Sequence, residues 1–148
     1  MSDTLKAREA AIAAETRIEE LFEDVLDTLH RHNKALVELH DAIRAAQPVS
    51  SGSVCLELYP CGPGCTGCPH PRWVKYVWTR PKDGSDGVLR SYNLDALEKD
   101  PVLALQRKTS HYKDTVRLVR EAKTILGERS RLLALIRPLR HAAKSDKA

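Results

Sequence analysis

In residues 18–43, IEELFEDVLDTLHRHNKALVELHDAI, the apolar side chains keep one period from end to end. Ile18, Phe22, Val25, Leu29, His32, Leu36, Leu39 and Ile43 fall at alternating intervals of four and three residues. This is an unbroken heptad seam, the pattern of a coiled coil or a long helical hairpin. His32 places a polar group inside the seam, a device that sets register or oligomeric state. His30 and His40 fall outside it and are expected on the surface. Upstream, Ala10, Ala11, Ala13 and Ala14 extend helix propensity. Downstream, Gln47-Pro48 and Ser50-Ser51-Gly52-Ser53 bring the helix to a stop. A helix over residues 4–46 would span roughly 65 Å, too long for a small globule.

The other end of the chain carries a second helical pattern. Asp100-Pro101 reads as an N-cap followed by proline at the first helical position. Tyr112, Val116, Val119, Leu126, Leu133 and Ile136 then keep a helical spacing, with Ala122 and Arg129 filling gaps in the stripe. Gly127 weakens the middle, and Pro138 is expected to kink or end the helix. Arg137 to His141, with Lys144 and Lys147, reads as a frayed basic tail.

Between the helices, residues 48–100 hold six of the seven glycines, six of the eight prolines and all four cysteines. Three short strands are predicted there: Val54–Tyr59, Trp73–Thr79 and Val88–Tyr92. The run Pro81 to Gly87 is a turn between the last two, and 94–99 a short helical turn. The predicted fold is therefore mainly α, with a small antiparallel β-insert. It is a long antiparallel helical hairpin or coiled coil carrying a knuckle-bearing meander. Its parts are an N-terminal helix over 1–47, the insert over 48–100 and a basic helix with its tail over 101–148, together one domain.

Composition narrows the function classes. The chain has 148 residues, 42% hydrophobic and 30% charged, with one Phe, one Met and two Trp. That suits an elongated shape built from aliphatic seams better than a thick core. No apolar run approaches the ~18–20 residues of a membrane span. The opening MSDTLKAREA is polar and helical rather than a signal peptide. A cytoplasmic setting is expected, in which thiols stay reduced. No phosphate-loop, dinucleotide-binding or nucleophile-elbow pattern occurs, so neither an enzyme nor a small-molecule substrate is indicated.

Cys55, Cys61, Cys65 and Cys68 lie within fourteen residues. In a reducing compartment such a cluster reads as a metal site before it reads as disulfides. Cys61, Cys65, Cys68 and His70 are separated by three, two and one residues, with Gly62, Gly64 and Gly67 between them. Zinc takes four such ligands in a tetrahedron, and the glycines permit the tight turns this needs. Prolines 60, 63, 69 and 71 lower the entropy cost of ordering the loop. The favoured ligands are Cys61, Cys65, Cys68 and His70. Cys55 is the alternative fourth ligand, although an extended 55–60 would hold it up to ~20 Å from Cys61. A closed, thiolate-rich set with no carboxylate beside it suits structural zinc rather than catalytic zinc. Cys65-Thr-Gly-Cys68 also has redox-motif spacing, without the strand-then-helix context that chemistry uses.

Gly52-Ser53, Cys61-Gly62-Pro63, Cys65, Cys68, His70-Pro71, Trp73, Tyr76, Tyr92 and the helix around Tyr112 follow one another in order. In that order the chain resembles a family of uncharacterised small bacterial and archaeal zinc-knuckle helical proteins, often found near mobile elements. The resemblance covers roughly residues 20–130, with the knuckle as its specific part, and implies architecture and zinc rather than an activity. The cysteine spacing and the additional Cys55 depart from the family pattern.

Charge is divided along the chain. Residues 1–47 carry net −4, 48–100 net zero and 101–148 net +8. Two readings follow. In the first, the protein is a non-enzymatic, zinc-stabilised nucleic-acid-binding accessory protein, as of a mobile element or phage. Arg117, Arg120, Lys123 and Arg131 on the last helix, with Arg72, Lys75 and Arg80 on the aromatic strand, would then contact phosphate. In the second, it is a coiled-coil interaction or assembly module, and the cations pair internally with Glu19, Glu23, Asp27 and their neighbours. Either way, a homodimer through the helices is expected, because so long a seam is better buried by a partner. Trp73 and Trp78 are both expected in the core.

Overall fold

The computed structural model describes residues 2–109 and 111–145. Helix α1 runs over Asp3–Ala46, strand β1 over Val54–Tyr59, β2 over His70–Thr79 and β3 over Val88–Asn93. A single helical turn, α2, follows at Pro101–Ala104, and α3 covers Tyr112–Ser145. The chain is mainly helical with one small antiparallel sheet in the order β1-β2-β3. No helix among the described residues is long and apolar enough to cross a membrane.

Helix α1 begins where Ser2 accepts a hydrogen bond from the Leu5 amide, a side-chain N-cap. It ends at Gln47, whose backbone turns extended before Pro48. The buried Gln47 side chain donates through Nε2 to the Val54 carbonyl at 2.6 Å, so the end of α1 fastens the start of β1. From there β1 and β2 pair from Val54 with Lys75 to Tyr59 with His70. At the far end of that ladder, Arg129 of α3 meets Asn33 of α1 and the backbone at Pro69. The sheet therefore lies back along the helices, and α1 and α3 run antiparallel beside it. Leu36, Leu39 and Ile43 pack with Val54, Leu56 and Trp73 of the sheet and with Val116, Val119 and Ala122 of α3.

Gly52 is the hinge into the sheet. Its φ of +97° lies in the left-handed region, and a Cβ there would meet the Gln106 side chain at 2.7 Å. Its amide donates to the Tyr76 carbonyl at 2.7 Å, continuing the ladder past β1.

Four expectations change. Asp100 does cap a helix, through its side chain to the Val102 amide at 2.8 Å. That helix lasts one turn, because Leu105 leaves it extended and Gln106 turns its amide to the Gly52 carbonyl at 3.4 Å. Second, of the two expectations for Pro138, a kink or an end, the end does not occur: α3 runs through it to Ser145, where a frayed tail was expected. The proline's missing N–H leaves the carbonyl of Ala134 without its helical donor, and Ala134 is exposed to solvent. Lys147 of the expected tail lies outside the described residues. Third, β2 begins at His70, three residues before the predicted Trp73. Fourth, Trp73 is in the core but Trp78 is not: Trp78 is exposed, its indole lying over Gly87 where no Cβ stands in the way.

The heptad seam is only partly covered. Leu36, Leu39 and Ile43 are buried, whereas Ile18 and Phe22 are 51% and 50% exposed. Leu5, Ile12, Leu21 and Leu26 are exposed as well.

Candidate metal centre

The loop between β1 and β2 brings Cys61, Cys65, Cys68 and His70 together, with all four ligand atoms within 4.8 Å of one another. Cys61 Sγ lies 3.2 Å from Cys68 Sγ and 3.2 Å from His70 Nε2. Cys65 Sγ lies 3.4 Å from the same nitrogen. A tetrahedral zinc with Zn–S near 2.3 Å and Zn–N near 2.0 Å separates its ligand atoms by about 3.5–3.8 Å, so small shifts would seat the ion. Each ligand is placed by local structure. The Cys61 amide donates to Cys68 Sγ and the Gly67 amide to Cys65 Sγ, each at 3.3 Å. Gly64 turns the loop with a φ of +82°. His70 is held as the first residue of β2, opposite Tyr59, whose ring lies 5.7 Å from the imidazole.

Cys55 is not part of this group. It sits in β1 opposite Val74, fully buried, with its thiol pushed up by that burial. The strand that carries it is extended away from the knuckle, as reach along the chain implied. The four grouped residues form a compact donor set compatible with zinc. Hydrogen bonding with Cys65, and then with Cys68, pushes the Cys61 thiol up to about 12. Cys65 is drawn down to about 6 by its bond from Cys61, then by the Gly67 amide and His70. The lowering favours the thiolate at Cys65, the form in which sulfur binds a metal.

Arg129 is the residue beneath the centre. Only 3% exposed, it donates through Nε to Asn33 Oδ1 at 2.7 Å. Through Nη2 it donates to the Gly67 carbonyl at 2.9 Å and the Pro69 carbonyl at 3.1 Å. It has no carboxylate partner among the described residues. Burial lowers its pKa, while Cys68 and Cys65 act the other way by favouring the charged form. Three thiolates and a neutral imidazole around a divalent ion carry one net negative charge, which Arg129 would offset from below. The sequence did signal this residue, as a cation in a gap of an apolar stripe, but not what it holds.

The cations expected to contact phosphate are gathered only in part: Arg120, Lys123 and Arg131 line one groove beside α2, which Asp100 also lines. Arg72 is exposed but bonded to Glu57 at 2.8 Å, and its guanidinium lies 5.5 Å over the Tyr59 ring. Lys123 is bound to Asp100 at 2.6 Å, and Asp100 is correspondingly held below the usual carboxylate range. Lys75 is half-buried in mid-sheet and Arg80 is exposed beyond the end of β2. Arg117, Arg120 and Arg131 share the outer face of α3, exposed and without an ion pair among the described residues. Glu19, Glu23 and Asp27 also form none among those residues. Between the two helices, His32 Nε2 lies 3.5 Å from a Glu128 carboxylate oxygen. No protein family, curated protein or solved structure matches the chain.

Proposed function

We propose that the protein is a non-enzymatic, zinc-stabilised nucleic-acid-binding accessory protein. The observation that carries this reading is the outer face of α3. Arg117, Arg120 and Arg131 stand there exposed, and α1 does not neutralise them. Three fixed cations along one helix face suit a phosphate backbone, which binds by counterion release and with little sequence preference. The closed Cys3His set supports a structural ion, because it leaves no position for a substrate. The mobile-element or phage setting implied by the family resemblance belongs to this proposal and rests on the knuckle.

The test is binding of labelled DNA and RNA to the zinc-loaded chain across a salt series. Arg117→Glu/Arg120→Glu/Arg131→Glu is the control, with Lys123 left in its ion pair. Steep loss of affinity with salt, abolished by the charge reversal, is expected. No binding at low salt would overturn the reading.

The uncovered part of the heptad seam favours a second reading, an assembly module. Residues 3–27 of α1 are acidic, with eight Asp/Glu against three Lys/Arg, whereas the last third of α3 is basic. In a homodimer, the acidic apolar half of α1 would lie along the basic end of the partner's α3 in a coiled-coil contact. Charge complementarity favours this arrangement over two acidic halves side by side.

A further inference from the structure

The face of α3 that turns inward changes character along its length. Val119, Ala122, Leu126, Arg129, Leu133, Arg137, Arg140 and Lys144 recur at intervals of three and four residues, so they form one stripe. Its first half is apolar and packs into the core. Arg129 is the transition, spent on the knuckle backbone. Beyond Leu133 the stripe is cationic. It is a different face from the one bearing Arg117, Arg120 and Arg131.

Opposite this cationic half stands the knuckle. A cleft of about 400 Å³ separates the two, with Cys65, Gly67 and His70 on one wall and Arg137, Arg140 and Lys144 on the other. His141 lines the cleft beside these cations. The wall reaches across the gap: Nη2 of Arg140 lies 3.9 Å from where a Cβ on Gly64 would stand. Among the described residues no carboxylate lines the cleft, and none of the three cations forms an ion pair. Like charges converging on a concave site repel unless an anion joins them. Forked guanidiniums at such a site match phosphate oxygens.

We propose that this cleft is a phosphate-binding seat, filled by a phosphate of the nucleic-acid strand. The ligand chemistry is a phosphoryl group held by Arg137, Arg140 and Lys144 against the Gly64–Gly67 turn. The proposal deepens the nucleic-acid reading and adds a second contact region to the outer face of α3. A strand held at both would be gripped across the helix rather than along one side of it.

Two measurements on the zinc-loaded full chain test it, using the wild type and Arg137→Gln/Arg140→Gln. Both substituted residues are exposed, and unchanged zinc content checks that the knuckle is intact. The first measurement is a titration with inorganic phosphate followed by the amide NMR signals of Gly64, Thr66 and Gly67. Saturable shifts are expected in the wild type and not in the variant. The second is oligonucleotide affinity against salt. The variant is expected to lose affinity by on the order of tenfold to a hundredfold at ~0.1 M salt, with a slope shallower by about two. Phosphate shifts with unchanged oligonucleotide binding would support the seat and assign it to a free phosphate or a small phosphate ester. The same shifts in a chain that binds no oligonucleotide would support the seat while overturning the nucleic-acid reading. If phosphate causes no saturable shift and the variant binds oligonucleotide like the wild type, the seat does not exist.

Discussion

Arg129 joins three elements through one side chain. A guanidinium can do this because its donors are fixed in a planar fork, which here serves Asn33 of α1 and two carbonyls of the knuckle. Arg129→Met would leave those acceptors short of donors in a buried place, a loss of roughly 2–4 kcal/mol in urea unfolding. Zinc affinity should fall about 10–100-fold with it, as for other groups that support metal ligands from behind. Arg129→Lys keeps the charge but not the fork and should restore less than half of the stability. Wild-type stability and zinc affinity in Arg129→Met would remove the residue from its role as a clamp. The position was legible as an exception in an apolar stripe. Its partners were not, since Asn33 and Arg129 are 96 residues apart in sequence.

At the scale of elements, the knuckle is the part with the least apolar support. Cys61 to Gly64 are exposed, and neighbouring ligands are held by amide-to-sulfur bonds and the Gly64 turn. Zinc would supply what a hydrophobic core does not, and its binding free energy would be folding free energy. Removing it with a chelator should lower the melting temperature by roughly 10 °C, several kcal/mol at about 3 °C per kcal/mol for a chain of this length. Cys55→Ala should keep the full zinc content by elemental analysis, whereas His70→Ala should lose much of it. A melting temperature indifferent to the chelator would mean that the loop holds itself. The strands themselves were legible from alternation and turn residues, and β1 has the predicted bounds. The early start of β2 was not, because an extended His70-Pro71 becomes strand only by pairing with Tyr59 and Leu58, which the local sequence does not show. Asp100-Pro101 likewise signals a helix start correctly, but it carries no information about where Gln106 will find an acceptor.

At the scale of the molecule, the two helices are longer than the core they share. Helix α1 has 44 residues, roughly 66 Å, yet its buried residues fall between Leu36 and Ile43. The exposed run from Ile12 to Leu26 is a surface a second copy would cover. Sedimentation equilibrium across a concentration series is expected to show a reversible dimer, and Phe22→Glu to shift it to monomer. Added salt should weaken the dimer, because opposite charges flank its apolar stripe. A monomer at every concentration would leave the acidic half of α1 without this partner. Phosphate binding at the α3 cleft and dimerisation through the same basic third of α3 would compete, so oligonucleotide should then dissociate the dimer.

The long N-terminal helix, the number and order of the strands, and three of the four donors, Cys61, Cys65 and Cys68, were readable along the chain, with His70 favoured over Cys55 as the fourth. These follow from interactions between near neighbours: helical periodicity, turn chemistry and the short reach between ligands. Only the tertiary structure decided that Cys55 is core and His70 a neighbour of three thiols. It also decided that Lys123 and Arg72 are tied to carboxylates, and that Arg137, Arg140 and Lys144 face the knuckle while Arg120 and Arg131 line a groove beside α2. The physical reason is that a cation's role depends on what lies across from it. That is set by where β1 and β2 fold back along the helices, a placement that no local pattern along the chain contains.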